Sequence, residues 1–463
     1  MLSAASALSG LKSPISTRCC GSQLRTERGK SFDVGNTFFR SESSTGRDLG
    51  VLSAAIYKKS NDALRVLDAM CGCGIRSLRY LEEAEADFFV SNDANREYRA
   101  VISSNLERAD GDGRRWTIKH LDANRLLMEC YLERSYFDVI DVDSFGSESS
   151  YLRLAMCAVK LNGQLYVTST DGFSSAGHQP HHTLAAYGSY IQHMPYCNEV
   201  GLRMLIGGAV REASVFGYHV VPLFSYYSYH GPVFRVMLQV RRGKSSTSHY
   251  GFISYCSRCG NSRNFSWDQL GQMGCSCNDG RHSVVVSGPL WTGPLHSEPH
   301  LTEMLALSRD WGWTGNGSGR HLETLLKLMI GECNPLLPCG YIKLDEISHR
   351  AKVNWPSIGS FLQALHREGY CACRSHIASN AIKTNSSMLS CVNLAKKLQL
   401  VRVLPSLVVT WKERAWPSRK PLLCQFWPQF RDMGCHPDDL DPLIATEWTS
   451  PAPPTLWTRT RLK

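Results

Sequence analysis

The 463-residue chain has no run that approaches ~18 consecutive apolar residues, so the sequence predicts no membrane-spanning helix. It also lacks the composition of a disordered protein, because 43% of its residues are hydrophobic. Lys and Arg outnumber Asp and Glu by 51 to 41, a net charge of +10 that mildly favours a polyanionic partner. At roughly 150 residues per domain, the length predicts about three folded units.

Paired cysteine motifs are scarce, since only one cluster among the 18 cysteines has two closely spaced pairs near each other in the chain. This distribution favours a reducing compartment with one metal site over a secreted disulfide framework. The first 26 residues lack Asp and Glu but contain six Ser and three basic residues. They predict an organelle transit peptide, placed at residues 1–30, although a floppy N-terminus has a similar composition. The Ser and Ala content favours the chloroplast, with the mitochondrion as the alternative.

Downstream, short apolar runs alternate with helical patterns, which is typical of a parallel sheet with crossover helices. A long helix is predicted at Glu199–Val215. Seven strands are predicted at Arg65–Ala69, Phe88–Val90, Trp116–His120, Phe137–Val142, Gly163–Thr170, Tyr218–Pro222 and Phe234–Val240. The sequence therefore predicts an open, doubly wound α/β sheet.

Four successive predicted strands end in a carboxylate, at Asp68, Asp93, Asp122 and Asp143. Each one alone is typical of a turn or a helix cap. Ligands of doubly wound sheets bind outside the carboxyl ends of the strands, at the switch point. A row of four carboxylates at that edge therefore indicates a binding site.

A glycine-rich turn, Gly72-Cys73-Gly74, follows the first of these strands. Glycines let the backbone approach a ligand closely, and the helix beyond offers free N–H groups. The turn lacks the GK[ST] ending of a phosphate loop, and Ser77 replaces the third glycine of the dinucleotide motif. Since Asp93 can take both hydroxyls of a ribose, the predicted ligand is a nucleoside without pyrophosphate, namely S-adenosylmethionine.

With these motifs in place, the sequence resembles the tRNA (guanine-N2-)-dimethyltransferases, which act on guanosine 26 of tRNA. The resemblance extends from about Phe38 to Thr384, and the order and spacing of its motifs make it specific. The motifs are Arg47-Asp48-Leu49, Asp68 to Arg76, Asn92 to Asn95, Asp122-Ala123-Asn124, Asp141 to Ser147, and Gly288 to Pro294.

The resemblance implies a set of cofactor-binding residues. Arg47 and Arg76 would hold the methionine moiety, because guanidinium forks a carboxylate with paired hydrogen bonds. Asp93 would bind the ribose, and Asp122 with Ala123 would flank the adenine, while Asp68 and Gly72 shape the turn. The alternatives are a surface cation at Arg76 and a loop salt bridge between Arg47 and Asp48.

The resemblance also implies an acceptor site after the fourth strand. Asp143 and the main-chain carbonyl of Ser144 would accept the N–H bonds of the guanine amine, whose lone pair is otherwise delocalised into the ring. The aromatic rings of Phe145 and Phe38 would hold the flipped base, although a core role for Phe38 is an equal alternative. The family pattern has Pro at the positions of Ser144 and Glu148, which puts acceptor specificity in question.

The paired cysteines have the spacing of a structural zinc knuckle. Cys256 and Cys259 form one pair, and Cys275 and Cys277 follow after fifteen intervening residues. Four thiolates leave no open position on Zn²⁺ for chemistry, so the module is expected to be structural. His178, His181 and His182 instead indicate a solvated polar loop.

Beyond the knuckle, the pattern predicts two helices within Leu301–Ile330. A helix pair at Lys343–Lys352 and Ser357–Arg367 and a hairpin at Cys371–Ile382 then give a winged-helix outline. Its basic residues, expected to face phosphates or only solvent, are His366, Arg367, Arg374, His376 and Lys383. The remainder is rich in Pro and Trp and is expected to be an extension laid across the domains.

The predicted fold is a Rossmann-like class I methyltransferase sheet with a zinc-knuckle insertion and a C-terminal α+β winged-helix-like domain. Its predicted bounds are 1–30 (transit peptide), 31–245 (methyltransferase), 246–300 (zinc module and connector), 301–400 (RNA-binding domain) and 401–463 (extension). We expect a monomer that adds one or two methyl groups to tRNA and binds neither membrane nor DNA. The alternatives are an rRNA guanine-N2 methyltransferase and a non-catalytic RNA-binding protein that retains the fold.

Overall fold

The computed structural model describes residues 24–400 except residues 229, 244–246, 278–282, 316–317 and 355. The predicted 401–463 extension and most of the predicted transit peptide lie outside these residues. No helix in the described part of the chain is both long and apolar enough to cross a membrane.

The central element is a seven-stranded sheet with strand order β5-β4-β3-β6-β7-β9-β8. Neighbours from β5 to β7 pair in parallel, whereas β9 is antiparallel to both β7 and β8. The strands are β3 (Arg65–Asp68), β4 (Phe88–Asn92), β5 (Trp116–Lys119), β6 (Phe137–Asp143), β7 (Val159–Ser169), β8 (Tyr218–Ser228) and β9 (Val233–Arg242). The predicted doubly wound sheet is confirmed, and its switch point lies between β3 and β6.

Both faces of the sheet are covered. Successive residues of a strand point to opposite faces, so Leu67 and Ile140 join one apolar core while Val66 and Val139 join another. The covering helices are α1 (Ser44–Lys59), α2 (Ile75–Glu82), α3 (Arg99–Ala109), α4 (Ala123–Leu132), α5 (Ser149–Ala158), α6 (Gly172–Ser175), α7 (Pro180–Tyr187) and α8 (Cys197–Val215).

A hairpin of β1 (Leu24–Glu27) and β2 (Lys30–Asp33) packs against this domain. The Glu27 carboxylate pairs with Arg47 (2.6 Å) and Arg79 (2.7 Å), and Arg28 pairs with Asp48 (2.6 Å). The boundary predicted at residue 30 therefore falls inside a hairpin whose side chains pair with residues of the domain that contains the seven-stranded sheet.

A second, three-stranded sheet carries the paired cysteines. It has the antiparallel order β11-β10-β12, with β10 (Tyr250–Cys256), β11 (Ser262–Phe265) and β12 (Val284–Trp291). Two helices follow, α9 (Glu298–Asp310) and α10 (Ser318–Gly331), as predicted.

The C-terminal part of the described chain has the winged-helix order. Helices α11 (Leu344–Ala351) and α12 (Ile358–Arg367) lie between strand β13 (Ile342–Lys343) and the hairpin of β14 (Ala372–Arg374) and β15 (Ala381–Thr384). The strands pair in the order β13-β15-β14, and residues 388–400 are helical. Ile347, Phe361 and Ile382 are fully buried in this module's own core.

The basic cluster expected to face phosphates is only partly on the surface. The side chains of His376 and Lys383 are buried against Glu332 (3.0 and 3.4 Å), so these two residues do not face phosphates. His366 and Arg374 remain exposed.

Candidate cofactor and acceptor site

The turn after β3 is tied to the end of β4. The amide N–H of Cys71 donates to the Asn92 carbonyl (2.8 Å), and that of Gly72 donates to Oδ2 of Asp93 (3.1 Å). Gly72 and Gly74 have φ values of +57° and +82°, a left-handed region that residues with a Cβ rarely adopt. Glycine is therefore favoured at both positions, and the turn places helix α2 beyond the strand ends.

Arg76 lies in the first turn of α2 and reaches back to the strand ends. Its guanidinium donates to Asp68 (3.0 and 3.2 Å) and to the Met70 carbonyl (2.6 Å), and it also pairs with Asp143. Burial raises the pKa of Asp68 to about 7 despite Arg76, and Asp141 raises it further. Because Arg76 is buried, the surface-cation alternative is wrong.

Arg47 is buried on α1, and its partners differ from the salt bridge considered above. It pairs with Glu27 (2.6 Å) and donates to the Arg40 carbonyl (3.1 Å), with the guanidinium 5.1 Å from the centroid of Phe39. Asp48 instead pairs with other arginines. The Arg47–Asp48 alternative is therefore wrong.

The other predicted cofactor residues lie at neighbouring strand ends. Asp93 accepts the amide N–H of Asn95 (2.9 Å) as well as that of Gly72. Asp122 is exposed and caps α4 by accepting the amide N–H of Arg125 (3.1 Å), and Ala123 is buried as the first residue of that helix. Asp122 therefore has a structural role as a helix cap, in addition to any role in binding a ligand.

Asn92 has a positioning role that the sequence did not reveal. Its buried side-chain amide donates to the carbonyls of Ala69 (3.0 Å) and Leu121 (2.9 Å), while its oxygen accepts the amide N–H of Leu121 (3.0 Å). It thereby links the ends of β3 and β5 across β4. The sequence feature that could have indicated this role is an Asn at the end of an apolar strand.

Asp143 ends β6 between two guanidiniums. Arg76 contacts one oxygen, and Arg235 of β9 lies 3.5 Å from the other. Burial alone would raise the pKa of Asp143, but Arg235 and Arg76 outweigh it and lower that pKa to about 2. Asp143 therefore stays a carboxylate, able to accept N–H bonds but not to retain a proton near neutral pH.

Arg235 was missed in the sequence. It is buried, and it also donates to the Thr168 hydroxyl (2.7 Å). The sequence feature that could have indicated Arg235 is that it is a lone arginine inside the apolar run Val233 to Val240.

The two aromatic residues assigned to the acceptor lie together at the surface. The Phe38 and Phe145 rings have centroids 5.0 Å apart at an interplanar angle of 81°, and they are 57% and 74% exposed. Large apolar side chains are rarely so exposed in a core role, so the core alternative for Phe38 is wrong. Ser144 is buried, and its hydroxyl donates to the Thr168 carbonyl (3.2 Å).

The four cysteines of the predicted knuckle converge. The sulfur atoms of Cys256, Cys259, Cys275 and Cys277 all lie within 4.8 Å of one another, at 3.6 Å for Cys256 to Cys277 and 3.3 Å for Cys259 to Cys275. Tetrahedral zinc with Zn–S bonds of about 2.3 Å requires S–S separations of about 3.8 Å. The donor set and its spacing therefore fit Zn²⁺.

A second group with metal-ligand residues does not have the same chemistry. His296, Glu332 and His376 lie within 4.8 Å of one another. The amide N–H of Ser225 donates to Nδ1 of His296 (3.2 Å), so the neutral ring carries its proton on Nε2, the atom that faces Glu332. Burial lowers the pKa of His296 to about 4, which keeps the ring neutral. A protonated Nε2 cannot ligate a metal, so this group is a structural ion-pair cluster.

Comparisons with known proteins agree with this arrangement. The model of the N2,N2-dimethylguanosine tRNA methyltransferase family matches residues 24–396. Among curated relatives, the tRNA (guanine(26)-N(2))-dimethyltransferase of Thermococcus kodakarensis is 30% identical over 75% of this chain and 90% of its own length. That of Methanocorpusculum labreanum is 29% identical over 76% of this chain and 87% of its own length.

A solved structure shares the fold. The structure of Trm1 from Pyrococcus horikoshii with S-adenosyl-L-methionine aligns with a TM-score of 0.68 at 24% identity, covering 80% of this chain and 99% of that one. The family model spans most of the chain, and the strand-end site lies within its match. This chain therefore belongs to the N2,N2-dimethylguanosine tRNA methyltransferase family.

Proposed function

We propose that the protein transfers one or two methyl groups from S-adenosylmethionine to the exocyclic N2 of guanosine 26 in tRNA. The observation that carries the proposal is the position of Asp143, a carboxylate at the switch-point edge beside the exposed Phe38 and Phe145 rings. The names of the curated relatives support the reaction, and their family model covers this site.

The side chains at the strand ends fit S-adenosylmethionine by their chemistry. We assign Arg76 and Arg47 to its carboxylate, Asp93 to the ribose hydroxyls, and Asp122 with Ala123 to the adenine. Asp68 holds Arg76 in place, and the Gly72 turn lets the backbone approach the ligand. The bound sulfonium supplies an activated methyl group, so alignment accounts for most of the rate.

The residues on the acceptor side of the site orient the guanine amine, which is the nucleophile. A guanine flipped out of the stacked RNA would lie against the Phe38 and Phe145 rings. The Asp143 carboxylate and the Ser144 carbonyl accept the two N–H bonds of the amine, which localises the nitrogen lone pair toward the methyl group. After transfer, the nitrogen loses one proton. The sulfur keeps the electron pair of the broken S–CH3 bond and becomes a neutral thioether. Because the pKa of Asp143 is about 2, this carboxylate orients the departing proton but does not keep it, and the proton passes to solvent water.

Mass spectrometry of nucleosides from tRNA incubated with wild-type protein and with Asp143→Ala tests this function. We expect N2-methylated guanosine with the wild type and almost none with the variant, and the product mass gives the number of methyl groups. A tRNA with another base at position 26 should not react. Product formed only on rRNA would support the alternative substrate, and binding of cofactor and tRNA without product would support the non-catalytic alternative.

We propose that Cys256, Cys259, Cys275 and Cys277 bind one structural Zn²⁺. The spacing of their sulfur atoms supports this, and all four thiols are free of disulfides. Metal analysis of the purified protein should give one zinc per chain, and a Cys259→Ser/Cys275→Ser variant should lose it. A full complement of zinc in that variant would remove the assignment.

We propose that the segment preceding the β1 hairpin is a transit peptide for the chloroplast, with the mitochondrion as the alternative. Its support is the lack of acidic residues and the abundance of Ser among the first 26 residues. A fluorescent fusion of the first 60 or so residues should enter one of these organelles. We also expect the protein to be a monomer, which light scattering measures.

A further inference from the structure

Glu148 is a fully buried residue that directly follows, in the chain, the acceptor loop, here defined as residues 143–147. It precedes helix α5 as its N-cap residue. Its Oε2 accepts the Tyr187 hydroxyl (3.3 Å), whereas its Oε1 is buried without a hydrogen-bond partner. Burying a carboxyl group with half of its acceptor capacity unused costs free energy, so the residue calls for a functional explanation.

The nearby Ser169 hydroxyl connects this carboxyl group to the loop. Ser169 ends β7 and donates to the Gly146 carbonyl (3.1 Å), and its hydroxyl also favours ionisation of Glu148. Gly146 is held as well by the amide N–H of Thr170 (2.9 Å) and by donating its own amide N–H to the Thr170 hydroxyl (2.7 Å). One Ser169 proton therefore has two competing acceptors, the Gly146 carbonyl and the Glu148 carboxyl group.

We propose that Glu148 is a positioning residue for methyl transfer, and that its protonation decides whether Ser169 holds the Gly146 carbonyl or turns to Glu148. The inference rests on the proposed function. A neutral carboxyl group competes weakly for the Ser169 proton, so Ser169 anchors the loop. A carboxylate is the stronger acceptor and draws the hydroxyl away, which removes one of the restraints on Gly146.

This competition takes place in the physiological pH range. Burial and, to a smaller extent, Asp171 raise the pKa of Glu148 to about 7, against the opposing effects of Ser169 and Tyr187. Tyr187 of α7 and Asp171 after β7 are the titratable groups that face Glu148. Burial also raises the pKa of Tyr187, so that hydroxyl stays neutral. The anchored loop is therefore favoured below pH 7 and lost as the pH rises through that value.

Loss of the hydrogen bond from Ser169 to Gly146 would affect the acceptor side of the site. Gly146 has a φ of +78° and directly follows Phe145, the exposed ring that packs against Phe38. Loosening Gly146 changes the position of that ring and of the Ser144 carbonyl. The residues assigned to the cofactor lie at the ends of β3, β4 and β5 and on α1 and α2, and their contact with this loop is the pair of Arg76 with Asp143, at the other end of the loop from Gly146. Glu148 should therefore affect kcat and leave the affinity for S-adenosylmethionine unchanged.

The test compares kcat on tRNA for the wild type and Glu148→Gln from about pH 6 to about pH 8.5. Gln has the shape of the protonated acid and cannot ionise. We expect the ratio of kcat, wild type over Glu148→Gln, to fall about fivefold, the effect of about one hydrogen bond, with a midpoint near the pKa of Glu148. The Kd for S-adenosylmethionine by calorimetry should match in both proteins.

Two further variants separate this role from a general structural one. In a Ser169→Ala background the same ratio of kcat should be independent of pH, because the hydroxyl proton for which Gly146 and Glu148 compete is absent. Glu148→Pro restores the family residue and should remain active with no inflection near pH 7. Glu133→Gln changes an exposed glutamate at the C-terminal end of α4; it is the matched control and should leave the wild-type profile unchanged.

The proposal would be overturned if the ratio of kcat, wild type over Glu148→Gln, did not change with pH. It would also be overturned if the inflection of that ratio were unchanged in the Ser169→Ala background. If Glu148→Gln does not fold, the pH profiles of kcat for Ser169→Ala and Glu148→Pro are compared with that of the wild type instead. Failure of the proposed function looks different, because the wild-type protein would then give no methylated guanosine at any pH.

Discussion

Two of the clusters of buried charged side chains in the described part of the chain differ in their access to solvent. The sheet-edge cluster consists of Asp68, Arg76, Asp141, Asp143 and Arg235. The inner cluster consists of Glu199, Arg203, Glu332, His376 and Lys383. In both, guanidinium, ammonium or imidazole groups compensate carboxylates, which is the condition for burying charge.

The difference is that only the sheet-edge cluster opens toward a ligand. The Asp143 side chain is 28% exposed and is followed by an exposed phenylalanine, whereas the Glu332 side chain is 1% exposed and surrounded by its partners. Metal-ligand residue types are present in the inner cluster and in the neighbouring His296, yet Glu332 is already paired with His376 and Lys383, and the protonated Nε2 of His296 faces it. Buried charge marks a functional site here only where one member keeps an accessible face.

The sharpest test of this comparison removes the accessible carboxylate. Asp143→Ala should lower kcat by about 10³-fold, equivalent to about 4 kcal/mol, because the amine loses the acceptor that directs its lone pair. Single-turnover methylation of tRNA measures this effect. Activity within a few-fold of wild type would mean that the open cluster is as structural as the closed one.

The next largest effect belongs to the inner cluster and should be one of stability. Glu332→Gln leaves Lys383 and His376 without their shared charge and should lower the free energy of unfolding by about 3 kcal/mol. Urea unfolding measures the loss. At a temperature where the variant is folded, kcat should equal that of the wild type, and a selective loss of kcat would contradict the assignment of this cluster to stability.

Acid titration gives a smaller effect. The pKa of Asp143 is lowered from 3.8 to about 2 in the folded protein, so its ionised form stabilises the fold above pH 3.8, and this stability is lost as the pH falls through about 2. The full contribution is about 2 kcal/mol. Urea unfolding at a series of acidic pH values should therefore show a weaker pH dependence for Asp143→Asn than for wild type. Parallel curves would show that the two arginines do not hold this carboxylate.

The smallest effect concerns the exposed ring beside the open cluster. Phe145→Ala should lower kcat/KM for tRNA by about tenfold through the loss of one base-stacking surface. Phe145→Tyr keeps the aromatic face and should stay close to wild type. The Kd for S-adenosylmethionine should not change, and an equal loss of cofactor affinity would place the ring in the cofactor pocket instead.

The strands of the sheet were predictable because apolar runs stop at polar residues. The prediction for β8 stopped at Pro222, but the strand continues to Ser228. β8 is the edge strand of the sheet, where a missing N–H need not break a ladder, and the register shifts between Pro222 and Phe224. Likewise β7 begins at Val159 rather than Gly163, and Asn162 within it adopts a positive φ, an irregularity that the sequence pattern does not reveal.

The partners of the site residues were not predictable in the same way. Arg235 and Asp143 belong to strands on either side of β7, and Glu27 meets Arg47 from a separate hairpin. Such pairs depend on tertiary packing, which local periodicity does not encode. Lys383 shows the same limit, because a cation in a basic stretch was expected at the surface and is buried on the central strand of the wing.

The β1 hairpin sets a limit on how short this polypeptide can be made. Glu27 is the shared counter-ion of Arg47 and Arg79, two guanidiniums that have almost no contact with water. Trimming the chain beyond Glu27, by a maturation protease or in a recombinant design, would remove the carboxylate that pairs with Arg47 and would leave Arg79 with Asp48 and Glu83 as its remaining partners. A shortened chain therefore has to begin at or before Glu27 to keep this counter-ion.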